Sequence, residues 1–585
     1  MRSSRNIKWG LGILLILSAL SRAVIAGLIE LGNDEVYYWT YAKFPDLSHF
    51  DHPSMVGWVI QLFTLNLRID TEFFIRLGAV VLGTGSTYLI FLIGRQIKDA
   101  LTGFYAALLY TSSFYCFILC GLFILPDAPQ VFFWLLTLYF LTIALPDTSC
   151  SQKSRRFIIY AGASIGLALL SKYHSIFLVA GMIIYVLVYN RNWLRTREFY
   201  IAFLLSGLIF IPVIFWNMEN DFVSFTFHEN RVGVSKSGVQ PIFFLTELIG
   251  QIFYNNPVNV VIILAALIAL IRKKEFLDNT QVRLLLWTSL PLVLVIITFS
   301  LFRSTLPHWT GPGYLGFILL AAALLSGPLS EKDSSHALIP WPTVISLIVL
   351  ISTLFIAVGQ IRHGWIKLRG FKIEDVTLDM VGQRQLAEKF APIVNWNEQN
   401  YLIDPGSPIL TFRWFPAANF DYYIGRSLHK KVYALGELKR IHKYYWINKE
   451  RGNLKQGSDA WYIALSDDYE NPEVLYGSMY EMIIPGDTIV IVRGQDTVRR
   501  AFVFRLIDLK QDMVFNPADT IRSGKMDEMD TLLYFMRQIR SDERWLKILQ
   551  KKADQDSVSI DEIILKEARL LRDSSNQILK RDRSR

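Results

Sequence analysis

The chain has 585 residues, 52% of them apolar and 14% aromatic, with a mean hydropathy of +0.31 and a formal charge of +9. That apolar content excludes an ordinary soluble protein of this length and indicates a polytopic membrane protein. The excess Lys and Arg sit in short clusters between apolar runs, as membrane topology demands, which argues against nucleic acid as a partner.

Three cysteines, Cys116, Cys120 and Cys150, offer neither a disulfide framework nor a CxxC metal site. No Asn-x-Ser/Thr acceptor site occurs, which fits a bacterial inner membrane better than a eukaryotic lumen.

Arg2, Arg5 and Lys8 precede "WGLGILLILSALSRAVIAGLI", the order of a signal peptide, but the apolar run is long enough to span and is expected to remain as a first span. At about 20 residues per span, helices are expected near 9–29, 72–95, 101–125, 128–145, 157–171, 174–190, 199–217, 244–271, 284–301, 312–327 and 338–358, eleven in all. Basic clusters at Arg2/Arg5/Lys8, Arg95/Lys98, Lys153/Arg155/Arg156, Arg191/Arg195/Arg197 and Arg272/Lys273/Lys274 fall on alternate loops, which the positive-inside rule assigns to the cytoplasm. The stretch after the first span, the loops around 218–243 and 302–311, and the C-terminal part then face outward.

Two apolar segments do not fit a simple span. Residues 53–67, "PSMVGWVIQLFTLNL", are short and suit a helix lying in the interface. Segment 241–271 is too long for one span and carries "YNNP" at 254–257, which predicts a kinked or re-entrant helix. From about 362 the composition turns to mixed charge with short β-like runs, "PILTF" (408–412), "AWYIAL" (460–465) and "TIVIVRG" (488–494). The expected organisation is a transmembrane helical domain over 1–361, a water-exposed α/β domain over 362–525, and a charged helical segment over 526–585.

The stretch "GNDEVYYWTYAKFPDLSHFDHPSMVGW" (32–58) crowds Asp34, Glu35, Asp51, His49 and His52 directly after the first span. Carboxylates near a bilayer are costly, so such clustering calls for a use. Neighbours on a helix point about 100° apart, so Asp34 and Glu35 cannot both face one reacting atom; one would address the site while the other holds the loop or a cation. A solvated helix end with Asn33 or Asp34 as its cap is the bland reading of the same dipeptide.

The outward side carries further chemistry-bearing groups. Asp127 stands in "LPDAP", Lys172 in "LLSKYHS", His228 and Arg231 in "FHENR", and Arg303 and His308 in "FRSTLPHW". Each cation alone reads as a loop or snorkelling residue. Together they describe carboxylates able to take a proton from a hydroxyl and cations able to neutralise a departing phosphate. That combination points to sugar transfer from a lipid phosphate.

The segments "NDEVYYW", "HFDHPSMVGW", "LPDAPQVFFWLLTLYFL", "GLALLSKYHS", "WNMENDFVSFTFHENR" and "STLPHWTGPGY" occur in an order that resembles the GT-C glycosyltransferases of the protein-mannosyltransferase and aminoarabinose-transferase type, over about residues 1–330. The resemblance implies a polytopic fold of about eleven spans plus interfacial helices, with a polyprenyl-phosphate sugar as donor and inversion at the anomeric carbon.

By position, Asp34 resembles the general base with Glu35 beside it, and Asp127 the second acid. Asp51 resembles the acid that contacts a metal or the fold; a divalent metal is compatible with this group but not required by it. His52 stands where the group has a lysine for the donor phosphate. Because histidine is charged only part of the time near neutral pH, that duty would shift toward Lys172, Arg231 and Arg303. His228 with Arg231 matches a His-x-x-Arg segment near the donor phosphate, and His308 with Trp309 matches the outer loop that lines the pocket, from which His308 is expected to reach the phosphate.

The acceptor expected is a hydroxyl of lipid A, a protein or a glycan, at the outer face of a bacterial inner membrane. A transporter of a lipid-linked sugar or sugar phosphate is the competing reading, since it too would use intramembrane charge, although it would favour internal repeats that are not visible here.

Overall fold

The computed structural model describes residues 4–232, 238–327, 339–366 and 375–515, with scattered positions between 546 and 569. The segment 526–585 lies, apart from those positions, outside the described residues. The chain divides into two compact units, residues 1–386 with 491–498 and residues 387–490 with 499–585. The first unit therefore runs past the composition change at 362 and takes in the tip of a β-hairpin.

Fifteen helices build the first unit among the described residues: α1 (Ser4–Leu28), α2 (Asn33–Lys43), α3 (Met55–Phe63), α4 (Glu72–Ile97), α5 (Ala100–Ser112), α6 (Asp127–Ala144), α7 (Gln152–Leu169), α8 (Ile176–Tyr189), α9 (Arg197–Glu219), α10 (Val223–Val232), α11 (Pro241–Tyr254), α12 (Pro257–Ile271), α13 (Asn279–Ser300), α14 (Gly311–Leu325) and α15 (Trp341–His363). Helix α16 (Gln383–Gln399) crosses from this unit into the second.

Among the described residues, seven helices are long and apolar enough to cross a membrane, or eight counting a bent pair. The other expected spans are present as helices but differ for local reasons. Helix α5 stops at Ser112 and gives way to a π-helical turn, Tyr115–Leu119, and α7 carries Lys153, Arg155 and Arg156 in its first turns. The apolar run that includes α8 has 17 residues, Tyr173–Tyr189. The segment at 241–271 is the bent pair α11 and α12, at 100° to each other.

The bend follows from "YNNP". Pro257 cannot continue a helix and starts α12 instead, while Asn256 takes φ +69° and caps the new helix by accepting from the Val258 amide. Its side-chain amide donates to the carbonyls of Ser112 and Ser346, so the freed backbone of two neighbouring segments is satisfied inside the bundle.

Small residues let the helices approach. A Cβ at Gly94 of α4 would lie 2.7 Å from the Gly103 Cα of α5, so backbone meets backbone there. The core is a continuous apolar cluster that includes Trp134, Leu138, Ile165, Leu285 and Leu319. Residues 55–63 form the short helix expected from "PSMVGWVIQLFTLNL".

The second unit contains most of a five-stranded sheet of β1 (Ile409–Thr411), β2 (Val432–Ala434), β3 (Ala460–Leu465), β4 (Tyr480–Arg493) and β5 (Asp496–Leu509), in the order β2-β1-β3-β5-β4. Strand β1 pairs parallel with β2 and β3, and β3 pairs antiparallel with β5. Its core packs Leu410, Tyr433, Tyr462 and Leu506. The runs at 408–412, 460–465 and 488–494 are strands, as their β-branched and aromatic content predicts. Strand β2 is too short to announce itself.

Candidate functional site

Asp34, Glu35, Asp51, His52, Asp127, Lys172 and His228 gather at one end of the helical bundle, where α1 ends and α6 begins. At the start of helix α2 the Glu35 carboxylate reaches back and accepts from the Gly32 amide at 3.0 Å. Its other partners lie far along the chain. Arg76 of α4 donates from Nε to Glu35 Oε1 at 2.8 Å and from a terminal nitrogen to Oε2 at 2.5 Å, and the Ile124 amide donates to Oε1 at 3.1 Å. Arg76 also donates to the carbonyls of Ala26, Ile29 and Glu30. With side-chain exposures of 0% and 3%, this pair is an internal rivet joining α1, α2, α4 and the approach to α6.

Glu35 is therefore not a second acid facing a reacting hydroxyl. Both oxygens are occupied, and of the two roles open to the Asp34–Glu35 pair it takes that of holding the loop and a cation.

Asp34, on the other side of α2, stays exposed to solvent at its position deep among protein atoms. Burial of its surroundings, then the charges of Asp379, Asp51, Glu35 and Asp127, raise its pKa to about 6. A carboxylate that is deprotonated near neutral pH yet more basic than a free one is suited to proton abstraction.

Asp127 opens α6 and is buried. Its Oδ2 accepts from Lys172 Nζ at 2.8 Å and its Oδ1 from the Tyr115 hydroxyl at 3.0 Å. The π-helical turn after α5 is what carries Tyr115 to that position. Lys172, expected to meet a phosphate, is itself buried and paired, with 4% exposure on both side chains. Its first duty is to neutralise Asp127.

The loop between α2 and α3 folds back on α2 and α10. Asp51 Oδ1 accepts from the hydroxyls of Tyr37, at 2.9 Å, and Tyr41. The Asp51 carbonyl pairs with His228 Nε2 at 2.7 Å, and the Ser224 hydroxyl donates to the His49 carbonyl at 3.0 Å. His52 lies with its ring 6.1 Å from that of His228 and 6.0 Å from that of Tyr38.

Burial lowers the His52 pKa to about 3, with Asp51 opposing and Lys172 and His228 reinforcing the shift. His52 is therefore neutral across the physiological range and cannot supply the charge of the lysine it replaces. Its Nδ1 is buried without a hydrogen-bond partner, so it remains open to a ligand.

His308 sits in the turn Pro307–Thr310 with its ring 5.9 Å from Tyr254, and Trp309 lies 5.4 Å from His174. Arg303 is half-buried on the same loop. The Arg231 side chain lies outside the described residues. Asp51, the expected metal contact, is held by two tyrosines. Among the described residues no three His, Cys, Asp or Glu side chains converge on a place for a metal ion.

Several members of this constellation were not singled out in the sequence. Arg76 carried a signal, an arginine inside an otherwise apolar span. Tyr37, Tyr41 and Tyr115 carried none beyond their aromatic content, and Asp379, which accepts from the Asn33 side-chain amide across 346 residues of sequence, carried none at all.

The helical bundle with a C-terminal sheet domain is the GT-C membrane fold. The family model described as dolichyl-phosphate-mannose-protein mannosyltransferase matches residues 51–216. The lipid A galacturonosyltransferase RgtD of Rhizobium johnstonii is 25% identical over 324 residues, 54% of this chain and 65% of that protein, so the match spans just under two thirds of the relative. The crystal structure of ArnT from Cupriavidus metallidurans bound to undecaprenyl phosphate has the same fold, with a TM-score of 0.57 at 15% identity over 85% of this chain and 98% of that one. Its apo form gives 0.55 at 14% identity, over 86% and 98%.

Proposed function

We propose that the protein is an inverting glycosyltransferase that moves a sugar from a polyprenyl-phosphate donor to an acceptor hydroxyl at the extracytoplasmic face of a bacterial inner membrane. The observation that carries this reading is Asp34: a solvent-reaching carboxylate with its pKa raised to about 6, beside the Asp127–Lys172 pair and the His52–His228 cluster. The fold shared with a protein that binds undecaprenyl phosphate, and the sequence similarity to a lipid A galacturonosyltransferase, support the donor class and make lipid A the leading acceptor. The distribution of Lys and Arg supports a C-terminal domain outside the cell.

In this reading Asp34 takes the proton of the acceptor hydroxyl as its oxygen bonds to the anomeric carbon. The bond from that carbon to the phosphate oxygen breaks, and polyprenyl phosphate leaves with the electron pair. The departing charge is met by Arg303 of a later loop and by the remaining hydrogens of the Lys172 ammonium, with the His308 ring on the same loop as a further polar contact. His52, held neutral by burial, contributes a hydrogen bond or local polarity, and His228 holds the Asp51 carbonyl. Asp127 and Tyr115 fix Lys172, and Asp51 with its two tyrosines fixes the loop that carries His52.

The test is direct. Purified protein in sealed proteoliposomes is incubated with a radiolabelled polyprenyl-phosphate sugar and an envelope extract, alongside Asp34→Asn. Transfer by the wild type and a loss of ~10²-fold or more in the variant is expected for a general base. Equal transfer by both proteins removes Asp34 from the chemistry, and movement of the lipid across the bilayer without sugar transfer favours the transporter.

A further inference from the structure

The segment that follows the last span, residues 375–384, returns to the loop that carries Asp34. Its first part is anchored by ion pairing and packing. Asp375 accepts from Arg493 at 2.6 Å and from Gln360 at 3.0 Å, and Gly382, at φ +88°, lies so close to Ile491 that a Cβ there would stand 2.2 Å from its side chain. Its last part is tied to the end of α1, where Glu30 accepts from the amides of Gln383, at 2.7 Å, and Arg384, and Glu72 pairs with the Arg384 guanidinium at 2.6 Å.

Between these anchors Asp379, in the short turn Val376–Met380, accepts from the side-chain amide of Asn33, the residue immediately before Asp34. At Gly32 a Cβ would find Met380 at 3.7 Å, Glu35 at 3.8 Å and Asp379 at 3.9 Å, so this turn closes directly over the start of α2.

Four acids act on Asp34 from the surrounding elements. Glu35, on its own helix, pairs with Arg76, Asp127 pairs with Lys172, and Asp51 accepts from two tyrosine hydroxyls. Asp379 accepts from the Asn33 side-chain amide, and after burial it stands first among the causes of the raised Asp34 pKa, ahead of Asp51, Glu35 and Asp127.

We propose that Asp379 is a positioning residue of the transfer reaction: through Asn33 it fixes the turn that aims Asp34, and it keeps a second carboxylate beside the base. The proposal rests on the glycosyltransferase reading, since it gives Asp34 the role of base. It makes the segment between the last span and the C-terminal domain a part of the catalytic loop rather than a linker, with the chemistry at Asp34 dependent on a residue that meets its neighbour Asn33 from 346 positions away in sequence.

The experiment uses the full chain in nanodiscs with the same labelled donor. Asp379→Asn keeps the shape and a hydrogen-bond acceptor but removes the charge. The expected result is a downward move of about half a pH unit or more in the midpoint of the acid limb of kcat, a several-fold lower plateau, and a donor KM within about twofold of wild type. Asp379→Glu, which keeps the charge, retains the wild-type midpoint, and Asn33→Ala lowers kcat through lost aim.

A profile for Asp379→Asn that overlays the wild type, with unchanged thermal unfolding, overturns the proposal. If the wild type transfers no sugar, the activity reading has failed but Asp379 is still tested: Asp34→Asn should raise Tm more at pH 8 than at pH 5, and by a smaller increment in the Asp379→Asn background. Equal increments in both backgrounds also overturn it, and this measurement holds even where a single variant folds less well.

Discussion

Replacing Glu35 by Ala takes from the Arg76 guanidinium, inside the bundle, the carboxylate that holds its Nε and a terminal nitrogen, leaving it the carbonyls of Ala26, Ile29 and Glu30. Arg76 has 0% and Glu35 3% side-chain exposure, so neither charge is relieved by water, and the Gly32 and Ile124 amides lose their acceptor as well. Removing one partner from such a pair costs about 3–5 kcal/mol, mostly from the charge left behind. Replacing both, as Glu35→Leu with Arg76→Met, removes the stranded charge and is expected to cost far less than the sum of the single changes.

Thermal or denaturant unfolding in detergent across the four proteins of this double-mutant cycle measures the coupling, and kcat measured on the same preparations should fall together with stability. Single variants costing under about 1 kcal/mol, or a double variant whose cost equals the sum, would refute the rivet. Loss of kcat in Glu35→Gln with unchanged stability would return Glu35 to the chemistry.

Because Asp34 must be ionised to act as a base and its pKa is about 6, the rate should rise with pH through that value and level off above it. The linkage runs the other way for stability: a carboxyl raised above its ordinary value contributes most below about pH 4 and less as pH rises through 6, so Asp34→Asn should stabilise the protein at pH 8 but not at pH 4. Lys172→Met strands the buried Asp127 carboxylate and should cost roughly 3–5 kcal/mol in unfolding experiments, while Lys172→Met with Asp127→Leu recovers most of it. His52→Gln, which keeps an uncharged polar group, should leave the pH profile between 5 and 8 in place; a limb that disappears would show that His52 titrates there. A side chain at Gly57 would meet the Tyr41 backbone at 3.0 Å, so Gly57→Val should push α3 from α2 and cost about 1–3 kcal/mol, read as a lower Tm.

Much of the architecture was legible because its causes are local. Hydrophobic stretches of span length announce α1, α4, α6, α9, α13, α14 and α15, and "NNP" announces the break between α11 and α12, since proline and an asparagine at positive φ stop a helix wherever they occur. Asp34 and Asp127 stood out for the same reason: a carboxylate at the edge of an apolar run is expensive without a use.

Tertiary packing decided what each polar group does. Glu35 finds Arg76 41 residues away, Lys172 finds Asp127 45 residues away, and Asn33 finds Asp379 across 346. Hydropathy and spacing carry no record of those meetings, because a side chain's charge is set by what surrounds it in space: burial holds His52 neutral where its residue type alone left it half-charged, and burial together with nearby acids makes Asp34 more basic than a free aspartate.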